Sequence, residues 1–406
     1  MPDVAPDFTA DGIDLVGYHD VGGRPVFKLA LQVVDDRWYL YATHFWEPRL
    51  SIFDVTDPAD IQLVGALEGP AHAATWQVQV ADGLLVQGLE TRPEPWGGDP
   101  TIVAEEGIRF WDVSDPTAPE LLSLWRTGAR GVHRNHYAGG RYVHVTASRT
   151  GFDGNIYVIL DVSDPRRPTE VGMWFMPEQY VAAGQSPSRR VSLHGPPYVD
   201  GHRAYLGYGA AGLVILDISD LTAPTLVSHL EIGAAFSSMI ALHSAVPVPT
   251  RDLVLVNTEA IAELSEEPYN FAGIVDVKDE TAPRLTSLMP VPVPAPDAGY
   301  PNFSLRGGRF GPHNQHHPQG LPELFQSDDL LFMTWFNAGL RVFDISDPYL
   351  PTEIAWYLPV DPVERRGMLP RTALVTQSED VLVDARGTIF FSDKNHGLHA
   401  VRLSDR

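Results

Sequence analysis

Leu340-Arg341-Val342-Phe343-Asp344-Ile345-Ser346-Asp347-Pro348 reads as a short apolar strand running into a turn. Valine, isoleucine and phenylalanine suit a pleated, half-buried surface. Proline presets the turn dihedral, and the aspartate before it can bond its own turn backbone. The same pattern stands at Leu50-Ser51-Ile52-Phe53-Asp54-Val55-Thr56-Asp57-Pro58, at Ile108-Arg109-Phe110-Trp111-Asp112-Val113-Ser114-Asp115-Pro116 and at Tyr157-Val158-Ile159-Leu160-Asp161-Val162-Ser163-Asp164-Pro165. Leu213-Val214-Ile215-Leu216-Asp217-Ile218-Ser219-Asp220, the degenerate Gly273-Ile274-Val275-Asp276-Val277-Lys278-Asp279 and Leu398-His399-Ala400-Val401-Arg402-Leu403-Ser404-Asp405 complete the set. Copies recur roughly every 50 to 70 residues, near the period of a four-stranded propeller blade. No segment keeps a 3.6-residue period, which sets a helical solenoid aside. Seven copies predict an all-β fold, one seven-bladed β-propeller over residues 1–406. The last copy lacks its final strand, and Ile13-Asp14-Leu15-Val16-Gly17-Tyr18 is an unclaimed strand of the right kind. The N-terminal strand at about 12–18 is therefore expected to complete the last blade and remove two exposed sheet edges.

These stretches resemble the LVIVD-repeat family, whose name is a consensus of the recurring strand. The resemblance covers nearly the whole chain. It is sharpest at Gly308-Arg309-Phe310-Gly311-Pro312-His313-Asn314, at Gln326-Ser327-Asp328-Asp329-Leu330-Leu331-Phe332 and from Phe336 through Pro348. It implies a β-propeller and leaves the chemistry to be read from the site.

Composition narrows the partners. Acidic residues outnumber basic ones by 52 to 29, a formal charge of −23 that repels phosphate backbones, so nucleic acid is not expected as a partner. No apolar run approaches the roughly 18 residues of a membrane span, and the first residues lack the basic and apolar segments of a secretory signal. A cytoplasmic location without membrane association is the expectation. Cysteine is absent, so any metal must use histidine, carboxylates, carbonyls or water.

In a four-stranded blade, connections between blades share one face, the top, with connections between second and third strands. Long insertions at 92–106, 177–190, 260–271, 290–308 and 359–371 fall there, as binding loops commonly do, whereas 318–327 falls on the other face. Several innermost strands carry histidine near their beginnings, hence near the top of the channel: His133 and His136, then His194, His243, and His313, His316 and His317. Second-strand ends add His44, Glu90, Glu259 and Asp393. Imidazole suits iron, copper, zinc or nickel, and a carboxylate behind it fixes the tautomer. His136, His194, His243 and His313 are the expected ligands, with His133, His316, His317 and His44 as alternates and Glu259 behind them. His133 and His136 face opposite ways if the strand is regular, and strand ends often bulge.

Arg309 is the expected group for an anionic substrate. Trp46, Trp96, Tyr180, Phe236, Phe303, Trp335 and Phe336 are expected at the rim, where they would line a pocket for a small organic substrate. The Asp-x-Ser-Asp-Pro runs read as turn chemistry, not calcium sites. The leading expectation is a metal-dependent enzyme with one divalent transition metal on the axis. Iron is favoured over copper, zinc and manganese, and oxidative cleavage of a hydrophobic or aromatic substrate over hydrolysis. The alternatives are a non-catalytic binding propeller and a metal-independent lyase or isomerase with a histidine base.

Overall fold

The repeated strand and its Asp-Pro turn build seven antiparallel sheets arranged as the blades of a propeller. The computed structural model describes residues 3–232, 239–268 and 270–405. In blade one the strands run Val26–Val34, Arg37–His44, Leu50–Asp54 and Gln62–Leu67 from the axis outward. The other blades repeat this order, and each packs its apolar faces against its neighbours in interblade cores.

The turn chemistry is the same in six blades. Asp54, Asp112, Asp161, Asp217, Asp276 and Asp344 each accept from the backbone N–H two residues on, at 2.8 to 2.9 Å. The second aspartate of each repeat does the same, as at Asp115 with Thr117 N at 2.9 Å. These carboxylates are spent on the backbone. Just before each turn the register between third and fourth strands shifts by a bulge, for example between Val342 and Phe343. The fourth strand then meets the next blade's turn. Ser123 Oγ donates to the Pro165 carbonyl at 2.5 Å, and at the equivalent point of the last blade Gly17 lies so close to Pro58 that a Cβ would stand 2.0 Å from its carbonyl oxygen. Only glycine fits that contact, which joins the last blade to the first.

Closure uses the N-terminus twice. Ile13–His19 pairs with Gly397–Leu403 and completes blade seven, in line with the expected 12–18. Phe8–Asp11 adds itself to Thr352–Pro359 as the outermost strand of blade six, which the sequence reading did not foresee. The innermost element of blade six is irregular. His313 N donates to the Thr334 carbonyl at 3.0 Å, His316 N to the Phe332 carbonyl at 2.9 Å, and Gln315 bridges Met333. The bottom segment 318–327 packs Leu321 against the cores of blades one and seven and of blades two and three, so it crosses the lower end of the channel. No helix among the described residues is long and apolar enough to cross a membrane.

Candidate functional site

The innermost strand of blade three, Val132–His136, shifts register between Val132 and Arg134. That bulge decides which histidine faces the upper channel. His133 does, and its Nε2 stands 3.3 Å from His194 Nε2 of blade four. His194 Nε2 is 3.0 Å from Glu259 Oε2, His243 Nε2 of blade five is 3.6 Å from the same oxygen, and His313 Nε2 of blade six is 3.6 Å from Glu259 Oε1. Imidazoles from four consecutive blades thus come together, three of them with Nε2 within 3.6 Å of one carboxylate and His133 against His194, and His194, His243 and Glu259 offer ligand atoms within 4.8 Å of one another.

Three of the four rings are held from behind. His133 Nδ1 meets Glu90 Oε2 at 2.8 Å, His243 Nδ1 meets Ser244 Oγ at 2.7 Å, and His313 Nδ1 meets Glu379 Oε2 at 3.1 Å. An Nδ1 proton shared with a carboxylate leaves the Nε2 lone pair free toward the centre. His243 Nε2 is buried and has no hydrogen-bond partner among the described residues. Burial lowers His194 to about 4, His243 well below its ordinary value, and His133 in the same direction. These rings are therefore neutral near pH 7, the state that ligates. Burial works to raise the Glu259 and Glu90 carboxyls, but it is outweighed. His313, His194 and His243 hold Glu259 well below the carboxylate range, and His133 and Arg130 hold Glu90 at about 2.

A buried ionic layer underlies the imidazoles. Arg309 spans Glu259 at 3.2 Å and Glu379 at 3.1 Å, stacks over Phe336 at 4.0 Å, and Lys394 also pairs with Glu379. Lys28 pairs with Asp380 at 2.6 Å. Glu379, Asp380, Lys394 and Lys28 were missed by sequence reasoning. Their signal was present: Ser378–Val383 is an innermost strand, buried throughout, that carries two adjacent acids, and buried acids need partners.

Above the histidines a cavity of about 650 Å³ opens, lined by His133, His194, Glu259 and Arg309 below and by Phe27, Phe45, Trp76, Trp96 and Phe152 at its walls. Of the expected rim aromatics, Trp96 lines it. Trp46 does not; it backs Trp96 at 4.7 Å and Phe45 at 4.2 Å. Tyr180 stands one layer out, stacked on Phe152 at 4.9 Å. Phe303, on a short 3-10 turn, and Trp335, just past the strand Leu330–Thr334, are buried in an interblade core and do not line the cavity. Phe336 stacks on His313 at 4.7 Å beneath the cavity. Phe236 lies outside the described residues.

His136, expected with His194, faces the lower end of the channel, since three residues and one bulge separate it from His133. Its ring stands 5.5 Å from His317 and 6.3 Å from His144, over a separate cleft. His316 is committed to backbone at both nitrogens, to the Phe325 carbonyl at 2.9 Å and to Val383 N at 3.2 Å. His44 shares a hydrogen bond with Ser51 Oγ at 2.9 Å inside blade one. Asp393 accepts from Gln377 N at 3.0 Å and Asn395 N at 2.9 Å, so it organises a turn.

Three segments, residues 141–174, 198–231 and 327–358, match the family model of the LVIVD repeat. They fall in blades three, four and six. No curated protein matches the chain.

Proposed function

For this chain, a propeller built of LVIVD repeats, we propose a metal-dependent enzyme whose ion is held on the axis by His133, His194, His243 and His313. The observation that carries the reading is the convergence of four imidazoles, three of them held from behind, with His243 Nε2 buried and lacking a hydrogen-bond partner among the described residues. Imidazole nitrogens bind such an ion at about 2.0 to 2.1 Å, which puts neighbouring ligand atoms roughly 3 to 3.5 Å apart. The 3.3 Å between His133 and His194 fits. The donor set, four imidazoles of which His133 and His313 have carboxylates behind them, suits iron, copper or zinc, and iron is the expected metal. When bound, a divalent ion in this set keeps its full charge and supplies Lewis acidity, or dioxygen binding in the case of iron.

The chain's own residues do the rest. Glu90 fixes the tautomer of His133, and Glu379 stands 3.1 Å behind His313. Glu259, ionised and 3.0 Å from His194, is placed to accept a proton at Oε2 or to act as a further ligand, and Arg309 holds its other oxygen. The aromatic walls exclude water and hold an apolar organic substrate above the ring of histidines. Oxidative cleavage of an aromatic substrate is the reaction this arrangement favours.

Elemental analysis of the tag-free protein by plasma mass spectrometry, before and after chelator dialysis and after reconstitution, tests the reading. About one equivalent of metal per chain supports it. Failure to take up iron, copper, zinc or manganese overturns it in favour of a binding propeller. Activity surviving exhaustive chelation would instead favour His194 and Glu259 as a metal-free base pair.

A further inference from the structure

Most of the buried carboxylates around the axis are held in ion pairs. Glu259 and Glu379 are met by Arg309 and Lys394, Asp380 by Lys28, and Glu90 by Arg130. Arg130 is itself largely exposed, and a further buried carboxylate, Asp393, accepts from Gln377 N and Asn395 N with no cation in ion-pair contact among the described residues. Arg134 is a fifth cation. It is 2% exposed, and among the described residues no carboxylate forms an ion pair with it. Its Nη1 donates to the Trp76 carbonyl at 2.7 Å, while its Nε has no partner among the described residues. Glu259, Asp380 and Glu90 act on it only from beyond ion-pair distance, so the guanidinium has room for an anion in direct contact. The guanidinium lies over Phe27 at 5.2 Å and lines the cavity above the histidines.

We infer that this cavity takes an aromatic monocarboxylate, its carboxylate on Arg134 and its ring among Phe27, Phe45, Trp76 and Trp96. The planar guanidinium suits a carboxylate, and the surrounding rings leave a flat body its stacking partners. The rest of the protein argues for a local origin of the attraction, because a chain of net charge −23 repels anions at long range. The inference deepens the proposed function and rests on it only in treating the bound anion as substrate; the binding itself needs no metal.

Calorimetry and tryptophan quenching with 2-naphthoate and with the neutral 2-naphthalenemethanol test it on the full chain. Naphthoate is expected to bind about ten- to a hundredfold more tightly, the size of a hydrogen-bonded charge interaction. Arg134→Met is expected to erase that preference and Arg134→Lys to retain part of it. Equal affinities for acid and alcohol in the wild-type protein overturn the inference, and so does a preference that survives in Arg134→Met. Should Arg134→Met fail to fold by circular dichroism, the wild-type pair and Arg134→Lys decide. Metal content read on the same samples separates the two claims. Preference for naphthoate in a protein that takes up no metal leaves the inference standing and removes the metal enzyme; metal without preference does the reverse.

Discussion

The two ends of the channel each gather histidines, and they differ in what stands behind the rings. At the top, His133 and His313 lean on Glu90 and Glu379, and His194, His243 and His313 bring Nε2 within 3.6 Å of Glu259. At the bottom, His136, His144 and His317 meet tyrosines. His144 Nδ1 bonds Tyr157 Oη at 2.6 Å, and His317 packs on Tyr198 at 4.5 Å. His136 Nδ1 and His317 Nδ1 have no partner among the described residues, and no carboxylate there forms an ion pair with any of the three. Histidine content alone therefore does not make a site. What separates the two ends is carboxylate: Glu90, Glu259 and Glu379 stand among the upper rings, and among the described residues none is in ion-pair contact with the lower ones.

Metal retention gives the largest contrast. His243→Ala or His194→Ala is expected to abolish stoichiometric metal, whereas His136→Ala, at the other end, is expected to leave it near one equivalent. Metal loss in His136→Ala with retention in His194→Ala would reverse the two ends. A graded version of the same contrast is Glu379→Gln, which keeps the shape but weakens the hold on His313. Metal affinity should fall about ten- to a hundredfold, read by competition with a chromophoric chelator, with the melting temperature reported alongside because Arg309 and Lys394 lose a partner charge.

Acid should reach both ends, since burial lowers His194 as well as His136 and His144; the lower end is the simpler to read, having no ion-paired carboxylate among the described residues. Burial lowers His136 to about 4 and His144 to about 3, from an unfolded value of about 6.5. The folded state prefers the neutral rings, so their contribution is complete above pH 6.5. It is lost as pH falls from there toward 4, where the unfolded chain binds protons that the folded one refuses. Each ring contributes on the order of 3 kcal/mol to that loss at most. Urea titrations at pH 7 and pH 5 should show the fall, and His136→Leu should make it shallower by the equivalent of up to one proton. An unchanged slope would mean that His136 is protonated in the folded protein. The smallest effect is expected at the rim. Arg130→Ala removes an exposed partner of Glu90 and should change stability by no more than about 1 kcal/mol; a larger loss would show that Glu90 depends on it.

Much of this molecule is written in local pattern. The recurring strand, the paired Asx turns and the Asp-Pro step specify their own backbone within nine residues, so the blade count, the closing strand Ile13–His19 and the dismissal of the aspartate runs as calcium sites are all legible without coordinates. The alignment of His194, His243 and His313 is legible for the same reason, since equivalent positions in a repeat occupy equivalent places in space. Other features depend on contacts between distant segments. A single bulge after Val132 exchanges His133 for His136, because a strand's side chains alternate and one extra residue turns every later one over. Phe303 and Trp335 enter an interblade core instead of a pocket because blade packing, not hydrophobicity, chooses the face. The pairing of Arg309 with Glu379 and Lys28 with Asp380, and the solitary charge of Arg134, arise only when the ring closes and brings strands far apart in the chain to one axis, where burial makes each unmatched charge costly.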